Sequence, residues 1–210
     1  MRLSMYLAGV GGQGLITFAT VLGDAALRAG YKALIAETHG LSQRGGSVDV
    51  HVRIGDVDAP LIPRNGADVI VAFEILEALR AVNYANENTT FIVNRRLVRP
   101  PATKQRIPSI EELENMLRSS IKNVYFINAY EDAVKLGNVI YENMVMLGAL
   151  YSIMNLSQYI PQDIIEEAIK MNIRRDVDRN IKAFMLGLRY GSNHLRRNES
   201  KKIVSFNSNK

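Results

Sequence analysis

The stretch "YLAGVGGQGLITFATVLGDAAL" (residues 6–27) decides the fold. The apolar segment Leu3–Val10 runs into glycines and predicts a buried parallel strand. Apolar residues then recur with helical spacing over 15–29, and Gly30 ends the pattern. Glycines at this junction permit a tight turn, and the helix start offers free N–H groups to an anion. The stretch therefore predicts a strand–loop–helix unit with a G-x-G-x-x-G turn at Gly9, Gly11 and Gly14.

The tripeptide Gly11-Gly12-Gln13 is also the sequence by which release factors reach the peptidyl centre of the ribosome. A release-factor tripeptide projects from an exposed tip on a strongly basic body. Here it lies between an apolar strand and an apolar helix, and residues 191–210 hold +4 of the net charge of +5. We therefore reject the release-factor interpretation. We interpret the basic tail as a solvated, partly disordered end, with RNA binding through it as the alternative.

Composition bounds the remaining possibilities. A chain of 210 residues, 47% hydrophobic and 22% charged, fits a single domain, which we predict over 1–190 with the tail at 191–210. No apolar run has the length of a membrane span and no signal-peptide pattern is visible, so we expect a cytoplasmic protein. The chain has no cysteine, which excludes disulfides, thiolate nucleophiles and cysteine-bound clusters. We expect no metal site, because His39, His51 and His194 are scattered.

Strands and helices are predicted to alternate through the first two thirds of the chain, before a closing helical group. Strands are expected at 32–37, 48–54, 68–73, 90–94 and 124–128, and helices at 74–82, 109–120, 142–155, 161–171 and 176–190. The third strand alternates, which places His51 on a solvent face. The pattern predicts an α/β fold: a Rossmann-like, mainly parallel sheet with helices on both faces and a C-terminal helical group.

A second glycine loop, "ETHGLSQRGGSV" (residues 37–48), joins two strands without an intervening helix. Gly45 and Gly46 free the backbone to approach a ligand, and the Arg44 guanidinium could form a bidentate interaction with a phosphate or carboxylate. Glu37 ends its strand about where a ribose-binding carboxylate would fall in a dinucleotide fold. The alternatives to ligand binding are that this loop is only a polar surface hairpin and that the first glycine loop serves only strand–helix packing.

The two loops together resemble the γ-type domain of the 2-oxoacid:ferredoxin oxidoreductase family, which carries G-x-G-G-Q-G and then E-x-x-G-x-S-Q-R-G-G-x-V. Both motifs stand intact, at 9–14 and 37–48. The segments "FEILEALRAVNY", "TTFIVNRRLVRPP" and "ENMVMLGAL" extend the likeness, which covers about Leu3 to Tyr190. Within the family the second loop is most similar to that of small subunits of enzymes acting on indolepyruvate. The γ chains of pyruvate, 2-oxoisovalerate and 2-oxoglutarate enzymes are the alternatives.

The resemblance implies a subunit of an enzyme that oxidatively decarboxylates a 2-oxoacid with coenzyme A, giving an acyl-CoA, carbon dioxide and reduced ferredoxin. It also implies that thiamine diphosphate, magnesium and the iron–sulfur clusters belong to a larger partner subunit. The lack of cysteine agrees with that division. No nucleophile or acid–base pair is evident, since Asp24 and Glu37 are single carboxylates without a visible partner and Asp24 is expected to face solvent. We expect the isolated chain to be inactive.

We expect both glycine loops to meet at the carboxyl edge of the sheet and to hold anionic groups, either the phosphates of coenzyme A or the substrate. Arg44 is the candidate electrostatic contributor. A stand-alone NAD-dependent dehydrogenase and a purely structural docking subunit are the rival hypotheses. The candidate binding residues are Gly9, Gly11, Gly12, Gln13, Gly14, Glu37, Ser42, Gln43, Arg44, Gly45, Gly46 and Ser47.

Overall fold

Six strands form one sheet in the computed structural model, which describes residues 1–39, 46–99 and 106–191. The strand order is β2-β3-β1-β4-β5-β6, and β1, β4, β5 and β6 run parallel to their neighbours in that group. Strand β3 is the exception, because it is antiparallel to both β1 and β2. Since four of the six strands pair in parallel, the predicted mainly parallel sheet is confirmed. The strands are β1 Arg2–Val10, β2 Ala33–His39, β3 Ser47–Gly55, β4 Ala67–Ala72, β5 Ala85–Asn94 and β6 Asn123–Ile127.

Seven helices accompany the sheet within the described ranges. The helix predicted from residue 109 begins with a capping box: the Ser109 hydroxyl accepts from the Glu112 N–H and the Glu112 carboxylate accepts from the Ser109 N–H. One helix was not predicted: Ala129–Lys135 buries only two residues, which is too short a pattern to detect. The helices are α1 Leu15–Arg28, α2 Ile75–Arg80, α3 Ile110–Ser120, α4 Ala129–Lys135, α5 Glu142–Ile153, α6 Gln162–Asn172 and α7 at 177–191.

Helices cover both faces of the sheet, as predicted. Alternate residues of β1 separate into two clusters: Met5 and Leu7 point to one face and Tyr6 and Ala8 to the other. The first face packs against α1, α4, α5, α6 and α7, and the second against α2 and α3. The larger cluster contains the closing helical group, and α5 is buried around its whole circumference from Glu142 to Tyr151. The predicted tail from residue 192 onward lies outside the described residues.

The prediction that His51 faces solvent is wrong. The side chain is 3% exposed because the connection between β3 and β4 folds over this face, and the buried Ile62 donates its N–H to His51 Nδ1 at 3.0 Å. The rings of Tyr6 and Tyr84 meet the imidazole edge-on. Burial lowers the pKa of His51, which suits a neutral ring acting as acceptor. Alternation along one strand does not reveal a loop that packs over its outer face.

Asp24 does have partners, contrary to the expectation from the sequence. Its Oδ2 lies 3.0 Å from Arg28 Nε within α1 and accepts from Asn172 Nδ2 at 2.8 Å. Asn172 is the last residue of α6, so the carboxylate joins the two helices. We assign Asp24 a structural role.

Candidate functional site

The first glycine loop turns directly from β1 into α1 at the carboxyl edge of the sheet. Gly12 and Gly14 have φ values of 103° and 77°, a backbone region that favours glycine. Gly14 is the N-cap residue of α1 and has no side chain to satisfy the N–H groups of the first turn. An ideal Cβ at Gly12 would meet no atom within 4 Å, so open space lies beside this residue. The loop therefore presents backbone to a cavity.

The two glycine loops meet where the second one is described. The Gly11 N–H donates to the Gly46 carbonyl at 2.9 Å, because Gly46 directly precedes β3 and β3 pairs with β1 up to the pair Val10–Ser47. This contact agrees with the expected meeting of the loops at one edge. The candidates Ser42, Gln43, Arg44 and Gly45 lie outside the described residues.

Gln13 fastens the first loop to its surroundings with both ends of its amide. Its Oε1 accepts from the Val10 N–H at 2.7 Å, and its Nε2 donates to the Phe73 carbonyl at 3.1 Å and to Glu142 Oε1 at 3.4 Å. Gly9 leaves room for this arrangement, since a Cβ there would lie 2.8 Å from Gln13 Oε1. The amide of this candidate binding residue is thus used to shape the loop.

An ion pair between Arg96 and Glu142 lies next to the first glycine loop. Arg96, just after β5, donates from Nη1 to Glu142 Oε2 at 2.6 Å, at the start of α5. The guanidinium carbon also lies 4.6 Å from the centroid of the Tyr130 ring. Glu142 is 2% exposed, and burial raises its pKa to about 7 although Arg96 opposes the shift.

A cavity of about 670 Å³ opens beside the first loop; we call it the glycine-loop pocket. It lies between residues 10–14, the segment after β5, the start of α5 and the turn from α6 to α7. Three arginines line it, Arg96, Arg174 and Arg175, and neither Arg174 nor Arg175 pairs with a carboxylate within the described residues. Glu142 is the single acidic side chain in the described lining. The pocket therefore carries an excess of positive charge suited to an anionic ligand.

Two other predicted residues lie away from this pocket. Ser47 donates to Glu77 Oε2 and accepts from Arg80 Nη1 at 3.1 Å, so its hydroxyl is engaged with α2. Glu37 is exposed on the edge strand β2, where it pairs with Val50 of β3. Because β3 stands between β2 and β1, Glu37 is one strand further from the loop than a ribose-binding carboxylate of a dinucleotide fold.

The site residues predicted from the sequence do not include Arg96, Glu142, Arg174 or Arg175. Arg96 had a detectable signal, because it follows a predicted strand at the edge where ligands bind in open α/β sheets. Glu142 had another, as a lone acidic residue opening a helix that is otherwise nearly apolar. Arg174 and Arg175 had no such signal, because they lie in the turn between two helices that each expose one side to solvent.

Within residues 1–39, 46–99 and 106–191, no group of three or more histidine or acidic side chains is placed to bind a metal ion. Among the helices of the same ranges, none combines the length and apolar character needed to span a bilayer.

Residues 4–190 match the family model described as pyruvate ferredoxin/flavodoxin oxidoreductase. The chain belongs to this family. The indolepyruvate oxidoreductase subunit IorB of Archaeoglobus fulgidus is 44% identical over 191 residues, covering 89% of this chain and 94% of the relative. The IorB subunit of Pyrococcus horikoshii is 38% identical over 192 residues, with the same coverage. The γ subunit of a keto/oxoacid ferredoxin oxidoreductase from Geobacter sulfurreducens has the same fold, with a TM-score of 0.68 at 22% identity, over 91% of this chain and 99% of that one.

These matches confirm the family that the two glycine loops indicated. The chain is a subunit of a 2-oxoacid:ferredoxin oxidoreductase, and the enzyme is an oxidoreductase complex of the EC 1.2.7 type. The matched residues also agree with the extent of the likeness read from the sequence, about Leu3 to Tyr190. A stand-alone NAD-dependent dehydrogenase is therefore not the function of this chain.

Proposed function

We propose that this chain is the small subunit of an indolepyruvate:ferredoxin oxidoreductase. The observation that carries the proposal is the 44% identity to an indolepyruvate oxidoreductase subunit across nearly the whole of both chains. In the proposed reaction the 2-oxoacid loses its carboxyl group as carbon dioxide and the remaining acyl group joins the thiol of coenzyme A. The electron pair released passes to ferredoxin. Enzymes acting on pyruvate, 2-oxoisovalerate or 2-oxoglutarate are the alternatives.

The reacting cofactors are proposed to lie on a larger partner subunit. Cysteine is absent from all 210 residues, so this chain offers no thiolate for an iron–sulfur cluster. We assign thiamine diphosphate, magnesium and the clusters to the partner on this basis and on the family resemblance. The complex is proposed to work in the cytoplasm.

The glycine-loop pocket is proposed to bind an anionic part of a ligand, with the phosphates of coenzyme A as the favoured group. Arg96, Arg174 and Arg175 supply charge, and the free N–H groups at the start of α1 supply neutral donors. The single acidic side chain in the described lining is already paired with Arg96. The residues present therefore fit a phosphate-bearing ligand better than a cation.

The substrate and the pocket are tested on the complex purified with its partner. Ferredoxin reduction is measured with indolepyruvate, pyruvate and 2-oxoglutarate, and we expect the highest kcat/KM for indolepyruvate. A preference for one of the other acids would contradict the proposed substrate and leave the family assignment intact.

The pocket is tested by Arg174→Gln combined with Arg175→Gln, against the control Arg64→Gln. Arg64 is exposed and is not part of the pocket lining, so its loss changes net charge alone. We expect the double variant to raise the KM for coenzyme A about a hundredfold or more, since each of the two charged contacts to a phosphate contributes about 1.5–3 kcal/mol. An unchanged KM would contradict phosphate binding here, and a dissociated complex would favour the docking role. Arg44→Ala is expected to lower activity without dissociating the complex.

A further inference from the structure

We propose that Glu142 is a positioning residue. Its carboxylate holds Arg96 in the orientation in which Arg96 contacts the ligand, and it links Arg96 to the first glycine loop. The proposal rests on the proposed binding of an anionic ligand in the glycine-loop pocket. Nothing in the reaction itself requires Glu142 to touch the ligand.

Glu142 is the point at which three chain segments meet. Its Oε1 accepts from Gln13 Nε2 at 3.4 Å and its Oε2 accepts from Arg96 Nη1 at 2.6 Å. Gln13 in turn binds the Val10 N–H and the Phe73 carbonyl, at the ends of β1 and β4. One carboxylate thus links the loop after β1, the segment after β5 and the first turn of α5.

Arg96 is held on two sides and keeps donors free. Nη1 is bonded to Glu142, and the guanidinium carbon lies over the Tyr130 ring. Its Nε and Nη2 have no protein partner among the described residues, and Arg96 lines the pocket. A guanidinium fixed in this way presents the remaining donors without losing rotamer freedom when the ligand binds.

A buried carboxylate is a costly way to fill space. Glu142 lies in an otherwise apolar helix, and its ionised form is disfavoured by burial and favoured by Arg96 alone among the titratable groups that shift its pKa. Arg174 and Arg175 are the other charged groups in the described pocket lining. The position is therefore explained by what the carboxylate orients, and not by packing.

The test is a double-mutant cycle on the purified complex at about pH 8, above the raised pKa of Glu142, with the KM for coenzyme A and kcat measured for Glu142→Gln, Arg96→Gln and the double variant. Glu87→Gln, an exposed change outside the pocket, is the control. We expect Arg96→Gln to raise the KM about tenfold and Glu142→Gln by a similar factor, with kcat within about twofold. The double variant should then be no worse than Arg96→Gln, because Glu142 acts through Arg96.

The outcomes separate the two proposals. An unchanged KM in Arg96→Gln would contradict ligand binding in the pocket. A raised KM in Arg96→Gln with an unchanged KM in Glu142→Gln would overturn the positioning role alone, as would effects that multiply in the double variant. If Glu142→Gln does not assemble with its partner, Tyr130→Leu provides the second test. This change removes the cation–π contact of Arg96 at a partly exposed site, and it should raise the KM for coenzyme A.

Discussion

Glu74 and Glu142, two of the buried glutamates at the carboxyl edge of the sheet, differ in what they bind. Glu74, just after β4, is 1% exposed and accepts hydrogen bonds from two backbone groups, the Glu77 N–H and the Val98 N–H, both at 3.0 Å. Glu142 is similarly buried and binds two side chains, those of Gln13 and Arg96. Burial raises the pKa of both carboxyl groups.

The difference distinguishes a carboxylate that builds the fold from one that prepares a site. Backbone donors are fixed by secondary structure, so Glu74 caps α2 and secures the chain after β5 whatever occupies the pocket. Side-chain donors keep rotamer freedom, so a carboxylate that binds them determines where they point. Buried acids that bind side chains at a pocket are therefore the ones to test for a functional role.

The largest effect should come from the helix that carries Glu142. An ideal Cβ on Gly148 of α5 would lie 2.0 Å from the Phe184 carbonyl oxygen and 2.9 Å from Gly187 Cα of α7. Since both neighbours are backbone, Gly148→Ala must separate the two helices. We expect it to lower the free energy of unfolding by more than about 3 kcal/mol in urea titrations.

Gly23→Ala in α1 is the matched control for that change. Its Cβ would meet the end of the partly exposed Ile35 side chain, which can move. Alanine is the better helix former, so stability should rise by up to about 1 kcal/mol. An equal loss of stability in both variants would contradict the view that close backbone contact at Gly148 is needed to pack α5 against α7.

Glu142→Gln should reveal the next largest effect, as a change in the pH dependence of stability. The folded protein keeps a proton on Glu142 up to about pH 7, whereas an unfolded glutamate releases it near its ordinary pKa of 4.5. Stability therefore falls as pH rises through this window, by at most about 1.4 kcal/mol per pH unit and about 3 kcal/mol in total.

Glutamine has no proton to release, so the variant should match the natural chain near pH 4 and exceed its stability above pH 7. Urea unfolding of the purified chain across this range provides the measurement, with Glu87→Gln as the control. Parallel curves for Glu142→Gln and the natural chain would show that this carboxyl group does not titrate in the window.

Glu74→Ala should have a smaller effect on stability. The change removes the cap of α2 and leaves the Val98 N–H without its partner, which together destabilise the fold by about 2 kcal/mol. Val98 also lines the glycine-loop pocket, so the KM for coenzyme A should rise as well. Glu87→Ala should leave both measurements unchanged, and a Glu74→Ala variant of natural stability would remove the contrast between the two glutamates.

Local patterns predicted most of the fold. The glycine turn, the helix that starts near Ser109 and the helix that starts at Glu142 are all set by neighbours in sequence, and each was found where expected. The errors came from contacts between distant segments. His51 is covered by Ile62 through a loop, and Arg96 meets Glu142 across 46 positions. Periodicity carries no signal for such pairs, so the contact between Arg96 and Glu142 was not predictable from the sequence.

Ser47 offers the smallest effect. Ser47 was one of the candidate binding residues, whereas the structure bonds its hydroxyl to Glu77 and Arg80 on α2. Because Arg80 also pairs directly with Glu77, Ser47→Ala leaves that ion pair in place, and we expect a loss below about 1 kcal/mol. The KM for coenzyme A should stay constant, since Ser47 is not among the described lining residues. A raised KM for coenzyme A at natural stability would instead show that Ser47 contacts the ligand, and would extend the site along the second glycine loop. The Ser47→Ala variant therefore locates the boundary between the residues of this sheet edge that stabilise the fold and the residues that bind the ligand.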